Sequence, residues 1–215
     1  MEYLKKLIDF VLHIDKYLQL ILQDYGVWIY GILFAIIFVE TGLVVMPFLP
    51  GDSLLFATGA LIKVTNELNI WLMGSLLFVA AVLGDTANYF IGKKLGKAVF
   101  EKESKWIKKE YLLKTQQFYE KHGGKAIIFA RFVPIVRTFA PFVAGIGTMN
   151  YAKFILYNLT GGFVWVWAFL LLGYFFAEAE IVKKNFTLVI FAIIFISILP
   201  PIIEVLRHKF AAKKD

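Results

Sequence analysis

Apolar residues run along most of this chain in long segments, which short polar stretches separate. Three segments, 70–92, 150–177 and 186–206, are long enough to cross a membrane, because a helix needs ~20 apolar residues to span a hydrocarbon core of ~30 Å. The fraction of hydrophobic residues, 60%, exceeds that of ordinary soluble domains. The pattern predicts an all-α polytopic membrane protein that forms a single membrane domain over residues 1–215.

Two further apolar segments, 41–62 and 126–147, are interrupted. Each contains two prolines, and the four are Pro47, Pro50, Pro134 and Pro141. A proline removes an amide donor and frees a carbonyl one turn earlier, and non-helical backbone at membrane depth survives only inside protein or beside water. We therefore expect each segment to be a re-entrant, broken-helix hairpin whose tip lines a polar cavity.

The distribution of lysine predicts the orientation in the membrane. Residues 93–125 hold ten lysines and four glutamates, and the tail 207–215 is also basic. Lysine-rich loops stay in the cytoplasm, which predicts a cytoplasmic C-terminus. The segment 126–147 must then begin and end on the cytoplasmic side, so it cannot cross. Counting the membrane crossings back from the C-terminus, we expect the segment 41–62 to enter from the outer face. This count does not decide whether residues 25–40 cross the membrane before it.

Both halves of the chain show the same order of features, which is a broken hairpin, a polar link and a long span. Because the two hairpins enter from opposite faces, this order is typical of an inverted-repeat transporter, whose interrupted segments meet near the midplane. Stretches that mix charged and apolar residues indicate amphipathic helices in the interface. The predicted parts are an amphipathic N-terminal helix (1–24), a first repeat (25–92), a basic cytoplasmic amphipathic segment (93–125), a second repeat (126–177) and a C-terminal transmembrane helix (186–206).

Four charged side chains fall in or beside the broken hairpins. Glu40 and Asp52 belong to the first half, and Arg131 and Arg137 belong to the second. One unpaired charge at the bilayer centre costs ~2.5–3.5 kcal/mol, so four would cost ~10–14 kcal/mol, comparable to the stability of a whole domain. We expect the acids and the arginines to pair in a wet pocket halfway through the lipid. A purely structural salt-bridge cluster is the alternative interpretation.

These residue types also suggest roles. A guanidinium does not titrate, but its paired donors grip phosphate, so Arg131 and Arg137 are candidate phosphate ligands. A carboxyl group that is partly removed from water can change its protonation near neutral pH, so Glu40 and Asp52 are candidate proton and counter-charge groups. Asp85 either extends the cavity or caps it. The supporting candidates are Asp85, Asn88, Asn158, Pro47, Pro50, Pro134 and Pro141.

The remaining composition narrows the chemistry. The chain has no cysteine, and its three histidines lie far apart in sequence, so we expect no disulfide, no metal and no other cofactor. The net charge of +7 suits anionic lipid headgroups, and the chain shows no module that reads or stacks on bases. The expected partners are protons and membrane lipids, through a polyprenyl phosphate or phospholipid headgroup, but not nucleic acid. A homo-oligomer is compatible with the sequence.

Several motifs are spaced along both halves of the chain. They are ETGL from Glu40, PGD from Pro50, GDTANY from Gly84, and RFVPIVR from Arg131 to Arg137. Together, over roughly residues 25–177, they resemble the DedA family of membrane proteins. The resemblance implies two facing re-entrant hairpins, lipid transport in the bacterial inner membrane, and links to the proton motive force and to envelope integrity. It places the family's essential acids and arginines on Glu40, Asp52, Arg131 and Arg137.

The leading hypothesis is a non-enzymatic transporter that flips a phosphate-bearing lipid between leaflets, and the resemblance favours undecaprenyl phosphate. A phospholipid flippase or scramblase is the nearest alternative. A proton-coupled antiporter for cations or drugs would need the acids but could dispense with the arginines. A lipid phosphatase needs a histidine nucleophile beside arginine and lysine, and no histidine lies within the broken hairpins. A membrane assembly factor is the remaining alternative.

Overall fold

The computed structural model describes residues 14–43, 51–95, 119, 123–147 and 149–180, together with 182, 185, 188, 189, 191–193 and 195. Pro47, Pro50, most of the basic segment 93–125 and most of the segment 186–206 lie outside this part of the chain. The described helices are α1 (Ile14–Tyr25), α2 (Ile29–Gly42), α3 (Gly51–Thr65), α4 (Ile70–Leu95), α5 (Ala126–Ala130), α6 (Pro134–Ile146) and α7 (Tyr151–Phe176), with 3-10 turns at Gly26–Trp28 and Gly123–Lys125.

Three helical stretches are long and apolar enough to cross a membrane. They are Lys16–Gly42, Ile70–Leu95 and Tyr151–Phe176. The helices α4 and α7 agree with the predicted spans 70–92 and 150–177, and large apolar side chains such as Trp71 and Phe175 are exposed on their outer faces, as lipid contact requires. The prediction of an all-α membrane protein is confirmed.

The first of these stretches is not one straight helix. Gly26, between α1 and α2, has a φ of +52°, a left-handed conformation that glycine adopts without steric cost. Beyond it, α2 has 14 residues and is ~21 Å long, which is shorter than a hydrocarbon core. The described part of the predicted amphipathic segment 1–24 is α1, which packs on α3. Its apolar side is formed by Ile14, Leu18 and Leu22, all of them buried.

The long helices α4 and α7 pack side by side and run in opposite directions. Their contacts fall in reverse order along the two sequences, since residue numbers rise on α4 as they fall on α7. The facing pairs are Trp71 with Trp167, Phe78 with Phe163, and Val82 with Asn158.

The shorter helices α2 and α6 both run parallel to α4, because their contacts with it rise in the same order. Along α2 the pairs are Tyr30 with Asn69, just before α4, and Thr41 with Asn88; along α6 they are Thr138 with Asn88 and Phe142 with Gly92.

In the same way, α3 and α5 run parallel to α7. Along α3 the pairs are Asp52 with Trp165 and Phe56 with Gly173; along α5 they are Gly124, just before it, with Tyr157 and Ile128 with Gly161. The helices α2, α4 and α6 therefore point one way, and α3, α5 and α7 point the other.

The helices α3 and α7 approach each other at a pair of glycines. A Cβ at Gly59 would overlap the carbonyl of Leu170, and a Cβ at Gly173 would overlap the carbonyl of Phe56. Small residues allow helix backbones to come this close in a membrane protein. This crossing therefore depends on glycine at both positions.

The helices α4 and α6 form the same contact. A Cβ at Gly145 would overlap the carbonyl of Tyr89, and a Cβ at Gly92 would overlap the carbonyl of Phe142. In both crossings the short helix contributes Phe-x-x-Gly, and the glycine of the long helix follows its contacting carbonyl by three residues. Gly59 and Gly145 lie in stretches rich in small residues, 57–61 and 143–147, and these stretches have equivalent partners in the two halves.

Candidate functional site

The predicted charged residues lie where the short helices begin or end. Glu40 is in the last turn of α2, and Asp52 is in the first turn of α3. Arg131 follows α5 directly, and Arg137 is in the first turn of α6. The gaps between the short helices therefore bring charges from both halves of the chain toward one region.

Arg137 is shared by the two predicted acids. Its Nη2 lies 3.1 Å from Oε1 of Glu40, and its Nη1 donates a hydrogen bond of 3.2 Å to Oδ1 of Asp52. The side chains of Arg137, Glu40 and Asp52 are only 11%, 5% and 15% exposed. One guanidinium thus faces two carboxylates in a largely enclosed site.

Arg131 has a different acid. Its Nη2 donates to Oδ2 of Asp85 at 2.5 Å and to Oδ1 of Asn158 at 2.6 Å. Asn158 in turn donates to the carbonyl of Val82 at 3.1 Å. The expectation that both arginines pair with Glu40 and Asp52 is therefore wrong for Arg131. Asp85, in the middle of α4, belongs to the charge cluster through its bond with Arg131.

Trp165 connects these two arginines, and the sequence did not single it out as a site residue. Its Nε1 donates to Oδ1 of Asp52 at 2.7 Å. Its ring centroid lies 4.1 Å from the Arg137 guanidinium carbon and 5.7 Å from that of Arg131, within the range of cation–π attraction. A buried tryptophan carries one polar donor that needs a partner, but the sequence alone does not show that Trp165 is buried.

The backbone at the N-terminus of α3 donates a hydrogen bond to Glu40. The amide of Gly51 donates to Oε1 of Glu40 at 3.1 Å, and a Cβ at Gly51 would overlap the Glu40 carboxylate.

The predicted supporting residue Asn88 donates to the carbonyls of Thr41 and Thr138 at 3.3 and 2.9 Å. Asn88 thereby joins the end of α2 to α6.

The two prolines of the segment 126–147, Pro134 and Pro141, do not break the helix at their own positions. Pro134 is the first residue of α6, where a missing amide costs nothing. Pro141 lies inside α6 and does not end it, so the expected break at this position is wrong. The interruption of the segment 126–147 instead covers residues 131–133, between α5 and α6.

The cluster has an imbalance of charge. Glu40, Asp52 and Asp85 face Arg131 and Arg137, which leaves one negative charge in excess when all five groups are ionised. Within the described residues, Oε2 of Glu40, Nη2 of Arg137, and Nε and Nη1 of Arg131 have no hydrogen-bond partner. The same part of the chain holds no group of His, Cys, Asp and Glu that could bind a metal ion. The Glu40 oxygen can therefore accept a hydrogen bond or a proton, and the arginine N–H groups can donate to a polar ligand.

Comparison with known proteins supports the membrane assignment. The family model of the VTT domain matches residues 49–175. Protein DedA of Escherichia coli (strain K12) is 55% identical over 216 aligned residues, which cover 100% of this chain and 99% of that protein. The inner membrane protein YqjA of the same strain is 35% identical over 159 residues, which cover 73% of this chain and 71% of that protein.

A mycobacterial protein is also similar to this chain. An uncharacterized membrane protein of Mycobacterium leprae (strain TN) is 43% identical over 169 residues, which cover 78% of this chain and 75% of that protein. No solved structure matches the chain. The domain match covers more than half of the chain, and the similarity to protein DedA covers all of it, so this multi-pass membrane protein belongs to the DedA family.

Proposed function

We propose that this protein moves a phosphate-bearing lipid between the leaflets of the bacterial inner membrane. The observation that carries the proposal is Arg137, an enclosed guanidinium shared by Glu40 and Asp52. Its Nη2 is ion-paired with Glu40 but has no hydrogen-bond partner within the described residues, so it can donate a hydrogen bond to another anion. A phosphate headgroup offers oxygens that match the two arms of a guanidinium.

Competition between the acids and the phosphate for Arg137 would allow the lipid headgroup to be released. Glu40 and Asp52 hold Arg137 when the site is empty, and a phosphate must displace at least one of them. Protonation of a carboxyl group weakens its hold on the guanidinium, while the arginine keeps its charge. Binding and release of the headgroup would thereby be linked to the movement of a proton.

The directions of the helices support an inverted repeat with two re-entrant hairpins. The first half, α2–α3–α4, has the opposite sequence of directions to the second half, α5–α6–α7. The end of α2 at Gly42 lies against Gly84, near the middle of α4. The charge cluster would then be near the midplane, where such transporters bind their substrates.

The lipid and the orientation belong to the same proposal. The lysine-rich segment 93–125 would be cytoplasmic, and so would the C-terminus. The lipid tail would stay in the bilayer, so the site must open sideways. Undecaprenyl phosphate, a single phosphate on a long isoprenoid chain, is the favoured substrate, and a phospholipid is the alternative with the same recognition chemistry.

Transport between leaflets is measurable in liposomes that contain purified protein and a labelled polyprenyl phosphate. We expect wild-type protein to accelerate the exchange of headgroups between leaflets and Arg137→Ala to abolish the acceleration. Lys153→Gln is the matched control, since it removes an exposed positive charge at the start of α7. If wild-type protein accelerates neither polyprenyl phosphate nor any phospholipid, the proposal is wrong.

The excess negative charge of the cluster favours a second candidate, a proton-coupled antiporter for cations or drugs. Such a protein would use Glu40, Asp52 or Asp85 to bind the cation and would not need a free guanidinium. Scoring drug efflux for Arg137→Ala separates the two functions, because the antiporter would retain efflux and the lipid transporter would lose lipid exchange.

A further inference from the structure

We propose that Trp165 is a positioning residue that keeps Asp52 hydrogen-bonded while Arg137 holds a lipid phosphate. The inference rests on the proposed function. Trp165 is fully buried on α7, and its Nε1 donates to the same Asp52 oxygen, Oδ1, that accepts from Arg137. The indole donor would stay in place when the guanidinium turns away.

The same ring also supports the guanidinium. The Arg137 carbon Cζ lies 4.1 Å from the ring centroid, and an enclosed cation on an aromatic face is attracted by the ring quadrupole. One side chain of α7 therefore contacts both members of an ion pair that α3 and α6 carry. This position allows Trp165 to hold the pair together and to support each member when the two separate.

The need for such support follows from the cost of an enclosed carboxylate without a donor, which exceeds the gain from an ordinary hydrogen bond. Each acid beside Arg137 has a donor besides the guanidinium, since Glu40 has the amide of Gly51 and Asp52 has the indole of Trp165. Arg137 can therefore be transferred to a phosphate without leaving a bare carboxylate. Within the described residues, Asp85 accepts a hydrogen bond from Arg131 and has no second donor of this kind, so we take Arg137 as the exchangeable arginine.

A stability experiment tests the support of Asp52 without any transport assay. It compares thermal unfolding of wild type, Trp165→Phe, Arg137→Met and the double variant in one detergent. Phenylalanine keeps an aromatic face but loses the N–H, and methionine removes the guanidinium without adding a donor. We expect Trp165→Phe to lower the unfolding midpoint further in the Arg137→Met background than in wild type. Equal shifts in both backgrounds would overturn the inference.

A transport experiment tests the consequence for function, again in liposomes with labelled polyprenyl phosphate. Trp165→Phe should slow exchange about tenfold, the size expected from losing a hydrogen bond to an ionised group. Trp167→Phe is the matched control on the same helix, where the ring packs on Trp71. If wild type transports and both variants match it, the inference is wrong and the proposed function stands. If wild type does not transport, the proposed function is wrong, and the unfolding comparison still decides whether Trp165 supports Asp52.

Discussion

Arg131 and Asp85 form an ion pair that is almost wholly enclosed. Nη2 of Arg131 lies 2.5 Å from Oδ2 of Asp85, and the two side chains are 3% and 6% exposed. The pair joins the end of α5 to the middle of α4, so it connects the two halves of the protein. Removing either member would leave the other as an uncompensated charge in an enclosed site.

The first prediction concerns this pair. Asp85→Leu should destabilise the protein by ~3–5 kcal/mol, because it leaves the Arg131 guanidinium without its counter-charge. The double variant Asp85→Leu/Arg131→Met should recover much of that loss, since two apolar side chains can replace a buried ion pair. Thermal or denaturant unfolding in detergent measures both.

The matched control for this prediction is Glu178→Gln. Glu178 lies 3.8 Å from Lys63 at an exposed position, and such surface pairs contribute only ~0–1 kcal/mol. A double variant that is less stable than Asp85→Leu alone would show that the charges themselves hold the halves together.

The second prediction concerns the shape of the Arg137 side chain. Arg137→Lys keeps the positive charge but replaces a two-armed group with a single ammonium, which cannot face Glu40 and Asp52 as the guanidinium does. We expect lipid exchange to fall about tenfold or more, with a smaller loss of stability than Arg137→Met causes. Full exchange activity in Arg137→Lys would show that charge alone suffices and that the phosphate is not held by two arms.

The third prediction concerns the helix crossings. Gly59→Ala and Gly145→Ala should each destabilise the protein, because the added methyl group would overlap the carbonyl of Leu170 or of Tyr89. Overpacking of this kind typically costs ~1–3 kcal/mol. Gly31→Ala is the control, because a Cβ there meets no atom within 4 Å and alanine favours the helix by ~0.5–1 kcal/mol. Unfolding of all three variants in the same detergent decides whether the crossings are as tight as described.

The fourth prediction concerns orientation in the membrane. The native chain has no cysteine, so Glu67→Cys and Lys153→Cys each provide one reactive thiol at an exposed position. These residues precede α4 and begin α7, two antiparallel helices, and should therefore lie on opposite sides of the membrane. A membrane-impermeant maleimide should label Glu67→Cys in spheroplasts, and Lys153→Cys only after the membrane is opened. Labelling of both thiols from one side would contradict the proposed topology.

The sequence predicted the residues that needed charge compensation but not all of their partners. Glu40, Asp52, Arg131 and Arg137 were identifiable because an ionised group in an apolar segment is costly wherever it lies. The choice of partner depends on which helices face each other, and that depends on packing between distant parts of the chain. Asp85 could therefore be recognised as unusual, but its pairing with Arg131 could not be predicted.

The helix breaks show a similar limit. The prolines located the interrupted segments, yet Pro141 lies within a continuous helix, because neighbouring contacts can compensate for one missing amide donor. Trp165 could not be assigned to the site from the sequence, since a tryptophan in a long apolar helix also suits helix packing or lipid contact. Only its position beside Asp52 and Arg137 distinguishes it from the outward-facing Trp71.

The matching glycine crossings have a consequence for motion. In each half, a Phe-x-x-Gly segment of a short helix rests on the backbone of a long helix that belongs to the other half, with the same spacing of contacts. Because the two contacts are equivalent, each half can adopt the conformation of the other without losing its glycine contact. We therefore expect a conformation open toward one face of the bilayer to define, by interchange of the two halves, its counterpart open toward the other.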